Sequence, residues 1–353
     1  MELEYFFLDI VLWFSIYLIV ALSLNVEYGY AGIPNFGRAM AVLIGAITVG
    51  YVMNHILMLL LGINGEIVEA SGIVKSTMNT MISHNPLLGM CILVLYLLLA
   101  AFIGAMAGIL FILPSAKLKN EYLSIALLAM SEVLYQVSNY NTSIIGGYYG
   151  VSVPNVLAWI PGEWRIIYVT LLSFGTALIV YLFVDKILTS PYGRLLKAMR
   201  ENEDVVRAFG KYILVLRMKT AALGSSIAAL AGALYSFYSM NVIASTFSRV
   251  EWTFFPFLMV LLGGRGNNKG VALGVLFFVL TKVSLTVYKF EIRSILQLPF
   301  EATWLEYILF GMVMLMILYY KPDGLIKEKP LITPPIKQAL KEKNIKEAKN
   351  IDS

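Results

Sequence analysis

Residues 189–217 read TSPYGRLLKAMRENEDVVRAFGKYILVLR and form the only long polar interval between hydrophobic segments in this chain of 353 residues. The interval reads as two short helical pieces joined by a bend. In the first, Leu195, Leu196, Ala198 and Met199 alternate with Arg194, Lys197 and Arg200; in the second, Val205, Val206 and Phe209 precede Gly210 at helical spacing. Apolar positions at i, i+1 and i+4 give each piece one apolar face, and an amphipathic helix this polar lies against a surface rather than inside a bilayer. That surface is either lipid headgroups or a partner protein.

Outside this interval the chain is membrane-seeking. Apolar residues make up 59% and charged residues 14% of the sequence, and mean hydropathy is +0.77, which excludes a soluble globular domain of this length. The fold expected is all-α, a polytopic transmembrane bundle. Cys91 is the single cysteine and there are two histidines, so an internal disulfide is excluded, no metal centre is expected, and nothing suggests a nucleic-acid partner. The start, MELEYFFLD, lacks the basic region of a signal peptide and is expected to lead directly into the first membrane segment.

Nine hydrophobic segments follow from the pattern, at residues 5–24, 39–61, 90–113, 122–137, 166–184, 220–240, 252–262, 271–288 and 304–320. A bilayer asks for about 20 helical residues, so 122–137 and 252–262 are short and are expected to be tilted, broken or re-entrant. Interrupted segments survive at membrane depth only where protein or a water-filled cavity satisfies their backbone, which points to a transport pathway. The membrane domain is placed at 1–320 and a Lys/Pro-rich tail at 321–353. Residues 189–219 hold seven Lys and Arg and the tail eight Lys, while 62–86 carries Glu66 and Glu69 against Lys75. The positive-inside rule then puts the polar interval and the C-terminus in the cytoplasm, the 62–86 loop outside, and the protein in the cell membrane with nine crossings. Trp159, Trp164, Trp252 and Trp304 read as interfacial belt residues.

The interval resembles the cytoplasmic coupling loop of branched-chain amino-acid ABC importer permeases, S-P-F/Y-G-R-x-L-x-A-I-R-E-x-E. Ser190, Pro191, Tyr192, Gly193, Arg194, Leu196, Ala198, Arg200, Glu201 and Glu203 fall on that pattern, with Met199 in place of Ile; Asp204, Val205, Val206 and Gly210 stand where the wider importer motif has E-A-A-x-x-x-G. Three other stretches resemble the same family in the same order. Residues 17–50 carry Asn25, Gly29, Tyr30, Ala31, Gly32 and Gly37 of the first-helix motif, with Arg38 where the family usually has His. Residues 118–154 carry Tyr122, Leu123, Ile125, Leu128, Glu132, Gly146, Gly147 and Gly150, and residues 228–274 carry AALAGALYSF and LMVLLGGRGNNKGVALG.

The resemblance implies a permease subunit, not an enzyme, that works with a second permease of related fold, two cytoplasmic ATPase subunits that bind ATP, and an extracytoplasmic solute-binding protein. On this reading Gly193, Arg194, Leu195, Met199, Arg200, Glu201, Asp204, Val205, Phe209 and Gly210 form the ATPase-coupling surface, the charged ones fixing register and the apolar ones burying area. Asn25, Glu132, Gly146 and Gly147 are candidates for the substrate pathway; Glu132 and Asn25 could equally bridge helices, and the glycines could simply turn the chain. Gly224, Ala228 and Gly232 form a small face for close helix packing. GGRGNNKG at 263–270 is not a phosphate loop, since G-x-x-x-x-G-K-[ST] is absent. The substrate could be a branched-chain amino acid, urea, a short amide or a sugar, and a self-sufficient secondary transporter is the competing class.

Overall fold

A run of 23 residues, ELEYFFLDIVLWFSIYLIVALSL, has no glycine, proline or cation to interrupt it and folds as helix α1 (Glu2–Leu24). In the computed structural model, which describes residues 2–114, 117–289, 291 and 302–328, this helix widens into a π-helical turn at Asn25–Tyr30 before the chain reverses through 31–37. Helix α2 (Arg38–Ile47), a second π-turn (Thr48–Met53) and α3 (Asn54–Leu61) form one continuous rod. Next come α4 (Ile67–His84), α5 (Pro86–Ile112), α6 (Asn120–Tyr140), the single turn α7 (Thr142–Ile145) and α8 (Gly162–Thr189). The polar interval folds as α9 (Pro191–Glu201) and α10 (Glu203–Ala208). The remainder is α11 (Ile213–Ser239), a third π-turn (Val250–Phe254) running into α12 (Phe255–Gly263), α13 (Asn268–Val287) and α14 (Ala302–Tyr320).

Among the described residues, six stretches are long and apolar enough to cross a membrane: Glu4–Tyr30, Arg38–Leu61, Pro86–Ile112, Gly162–Thr189, Ile213–Ser239 and Asn268–Val287. The other three apolar segments are α6, the π-turn with α12, and α14. Helix α6 continues past its apolar run at both ends, through Glu121 and through Ser138 to Tyr140, because backbone hydrogen bonding rather than hydropathy sets where a helix stops.

Helix α11 is the hub, packed on α5, α2 and α1. Close approach explains its small residues. A Cβ on Gly232 would lie 1.9 Å from the Val42 carbonyl oxygen, and one on Gly45 would lie 1.9 Å from that of Ala229. Helices α2 and α11 therefore touch backbone to backbone, the arrangement small-residue faces permit in a bilayer. Trp252 is a correction to the sequence reading. It is fully buried, donates Nε1–H to the Thr246 carbonyl at 2.9 Å, and packs on Tyr17, Tyr235 and Phe247. The third π-turn carries it into the bundle, whereas Trp159, Trp164 and Trp304 remain exposed.

The end opposite α9 and α10 is closed by elements that hydropathy left as loops. Helix α4 presents Ile67, Ala70, Val74, Met78 and Ile82 inward at i, i+3, i+4 spacing. A two-residue antiparallel pair, β1 (Val151–Ser152) with β2 (Asn241–Val242), joins the loop after α7 to the end of α11. The Ser152 amide donates to Ser71 Oγ at 3.1 Å and Lys75 Nζ to the Met240 carbonyl at 3.1 Å.

Candidate functional site

Ser190 caps α9 by accepting from the Tyr192 amide at 3.2 Å, and Pro191 occupies the first turn, where a missing N–H costs nothing. Gly193 is enforced sterically: a Cβ there would stand 2.0 Å from the Leu188 carbonyl oxygen, so α9 can fold back across the end of α8 only with glycine. The bend is Asn202, extended at φ −160°, whose Oδ1 accepts from the amides of Asp204 (2.9 Å) and Val205 (3.2 Å) and so starts α10. Gly210, at φ +73°, ends it in the left-handed region.

Two faces result. Leu196, Met199 and Val206 are buried against the bundle, whereas Arg194, Glu201, Asp204, Val205 and Phe209 are exposed, Phe209 at 79%. Tyr212 joins them at 82%. Leu195 is half-buried on the floor of a cleft of about 360 Å³ shared with Tyr192, Tyr212 and Val215. Arg200 belongs to the inward face: its Nη1 donates to the Gly29 carbonyl, and its Nη2 pairs with Glu328 Oε2 at 2.8 Å and with Glu201 Oε1 at 3.1 Å. Burial disfavours its charge, but the Glu328 and Glu201 carboxylates outweigh burial and hold the guanidinium above its ordinary value. Arg217 locks α10 to α11, pairing with Glu203 Oε1 at 2.6 Å and donating to the Leu118 carbonyl at 3.0 Å.

The four pathway candidates lie in different parts of the fold. Asn25, fully buried in the first π-turn, accepts from the Gly266 amide at 2.9 Å and donates to Asn268 Oδ1 at 2.9 Å; Asn268 in turn donates to Asp185 at 3.2 Å. It bridges α1 to the α12–α13 turn. Glu132 on α6 accepts from Gln136 at 2.8 Å and faces Arg249 at 3.4 Å, partly exposed. Gly146 and Gly147 turn the chain after α7 at φ +71° and +55°, and a Cβ on Gly146 would meet the Gly150 carbonyl at 2.2 Å.

Two charged clusters inside the membrane segments gather around Arg38 and Lys282, whose partners the sequence did not reveal. Glu27 Oε2 pairs with Arg38 Nη2 at 2.5 Å and accepts from Asn35 at 2.8 Å, both charges having no exposed side-chain surface. Glu27 Oε1 and the remaining Arg38 nitrogens have no hydrogen-bond partner. Lys282 contacts Glu251 and Tyr17, lies 3.6 Å from Glu306, and sits among the rings of Trp13, Tyr17 and Phe255 at 5.0–5.7 Å. The available signal was an ionisable residue in an otherwise apolar run, since membrane burial demands a partner.

An amphipathic helix pair thus closes one end of a bundle whose broken helices are pinned by polar groups. Residues 6–318 match the family described as the permease component of branched-chain amino acid transport systems. The chain belongs to this family. The permease is 55% identical over 333 residues to a probable branched-chain amino acid transport permease protein LivM of Methanocaldococcus jannaschii, covering 94% of this chain and 96% of that one. It is 24% identical over 269 residues to the high-affinity branched-chain amino acid transport system permease protein LivM of Salmonella typhimurium and to that of Escherichia coli, covering 68% of this chain and 58% of each of theirs. No solved structure matches it. As a transport permease with several membrane-spanning helices, it is a multi-pass membrane protein and not an enzyme.

Proposed function

We propose that the permease is the membrane subunit of an ABC importer for branched-chain or related amino acids. It pairs with a second permease of related fold, receives solute from an extracytoplasmic binding protein, and is driven by two cytoplasmic ATPase subunits that bind ATP. The observation that carries this reading is the exposed face of α9 and α10, where Val205, Phe209 and Tyr212 stand clear of the bundle beside Glu201 and Asp204. Large apolar side chains rimmed by charge suit docking into a groove of a partner protein. The Lys and Arg of residues 189–219 and of the C-terminal tail support, by the positive-inside rule, a cytoplasmic position for this end and for the C-terminus. Nucleotide-driven closure of the ATPases would move α9 and α10 as a body, and α8 and α11, directly joined to them, would carry that movement into the bilayer. Substrate would pass between the two permeases, with inward- and outward-open states stabilised in turn by ATP and by the docked binding protein.

One observation favours a second reading. The Glu251–Lys282–Glu306 cluster provides intramembrane charges of the kind a self-sufficient secondary transporter uses. The deciding experiment extracts C-terminally tagged permease in mild detergent, with and without Val205→Ala and Phe209→Ala. An ATPase recovered with the intact chain and lost with the variant is the expected result. A chain that purifies alone and moves solute into liposomes without ATP would overturn the importer reading.

A further inference from the structure

The short strap after α14, residues 321–328, leaves the membrane segment and immediately turns back onto the bundle. The amides of Leu325 and Ile326 donate to the carbonyls of Leu262 (2.8 Å) and Gly263 (3.1 Å), the last residues of α12, and Asn267 Nδ2 donates to the Lys327 carbonyl at 3.2 Å. Glycine makes this approach possible: a Cβ on Gly264 would meet the Ile326 carbonyl at 2.2 Å, and one on Gly266 would meet the Glu328 carboxyl carbon at 2.8 Å. The strap thus delivers Glu328 to the inner face of α9. There Oε1 pairs with Lys197 Nζ at 2.6 Å and Oε2 with Arg200 Nη2 at 2.8 Å, the three side chains being only 15–22% exposed.

The same two cations also hold the end of α1. Arg200 donates to the Gly29 carbonyl, and Lys197 lies 5.0 Å from the centre of the Tyr30 ring. Glu328 is therefore the one carboxylate among the described salt bridges that ties Lys197 and Arg200 of α9 to the α12–α13 turn. Without it, Lys197 loses its salt-bridge partner among the described residues and Arg200 keeps the more exposed Glu201.

The geometry points to Glu328 as a positioning residue for energy coupling: it clamps α9 to the inner ends of α1, α12 and α13, so that a push on α9 moves those helices as well as α8 and α11. This rests on the coupling role proposed above for α9 and α10. Charge-assisted hydrogen bonds with both partners half-shielded from water supply the stiffness, and coupling through a packed element of fixed geometry is the physical requirement for transmitting a shift.

The test uses full-length Glu328→Gln, purified in detergent and also assembled with its partner subunits in proteoliposomes. Amide exchange across α9 is measured on the purified chain, and solute uptake per ATP hydrolysed on the assembly. Loss of the carboxylate charge, which weakens both bonds, should speed exchange in α9 by about tenfold or more, and loss of the clamp should lower uptake per ATP by about fivefold or more while ATP is still hydrolysed. Glu328→Asp, which keeps the carboxylate, should recover part of both. Unchanged exchange in α9 overturns the clamp outright. Faster exchange with unchanged uptake per ATP overturns its part in coupling. If the intact chain carries no ATPase yet exchange in α9 still rises, the coupling reading of α9 and α10 is what fails, and the clamp stands as a structural tie.

Discussion

The buried pair of Glu27 and Arg38 makes a quantitative prediction. Both side chains have no exposed surface, and Glu27 Oε1 already lacks a hydrogen-bond partner, so among the described residues Asn35 is the only other polar group holding this carboxylate. In Arg38→Met the Glu27 carboxyl is left buried without its counter-ion. Removing one member of a buried pair costs about 3–5 kcal/mol, whereas replacing both by apolar residues of similar volume is often neutral or favourable. The single change should therefore shift the folded-to-unfolded ratio by roughly two to four powers of ten. At about 2 °C per kcal/mol for a large chain, that is a fall of about 6 °C or more in the thermal midpoint. Glu27→Leu alone should fall comparably, since it strands Arg38. The double variant Glu27→Leu, Arg38→Met should recover most of the loss, because Leu fills the volume beside Gly224, where Glu27 Oε1 now sits 2.1 Å from the position a Cβ would take. The assay is the thermal midpoint of detergent-purified protein for the four members of the cycle. If the double variant is as unstable as the sum of the singles, lost packing of the Arg38 stem and not the stranded charge is the cause, and the reasoning is refuted.

Three further outcomes follow from geometry already given. Gly232→Ala should cost about 1–3 kcal/mol, since its methyl would force α2 and α11 apart at Val42; a thermal midpoint equal to that of the parent would contradict the backbone contact. Asn202→Ala should remove the cap of α10, worth about 1 kcal/mol, and should show as faster amide exchange confined to residues 203–208. Phe209→Ala should leave the thermal midpoint unchanged, because the ring is 79% exposed, while abolishing recovery of the ATPase; a lower midpoint with ATPase still bound would place the ring's role inside the chain instead.

Hydropathy made the long helices legible, and helical spacing of apolar residues up to Gly210 marked the two pieces of the polar interval because that periodicity is local. What it could not supply was facing. Leu196, Met199 and Val206 look no different in sequence from Leu195, Val205 and Phe209, yet the first three pack on the bundle and Val205 and Phe209 do not. Helical spacing of apolar residues shows that a face is buried, not what buries it. Helix α4 was passed over because Glu69, Lys75 and its Ser and Thr residues lower its hydropathy, although its inward positions keep helical spacing. The polar pairs were invisible for another reason. Glu328 meets Lys197 across 131 residues, and Lys282 meets Glu251 across 31, so the pairing exists only once the helices are arranged.

Asn25 shows a separation of the same kind, and with it a consequence for biogenesis. Its two partners, Gly266 and Asn268, lie 241 and 243 residues later in the chain. At a synthesis rate of about 5–20 residues per second, the first hydrophobic segment of a nascent permease waits on the order of 10–50 s before its buried amide can be satisfied. Through that interval α1 is inserted but unfinished, its polar end waiting on a turn still to be translated. A ribosome halted before residue 266 would therefore leave a chain whose earliest helix is its least settled, and the quality-control machinery of the membrane would meet that defect at the opposite end of the sequence from the stall.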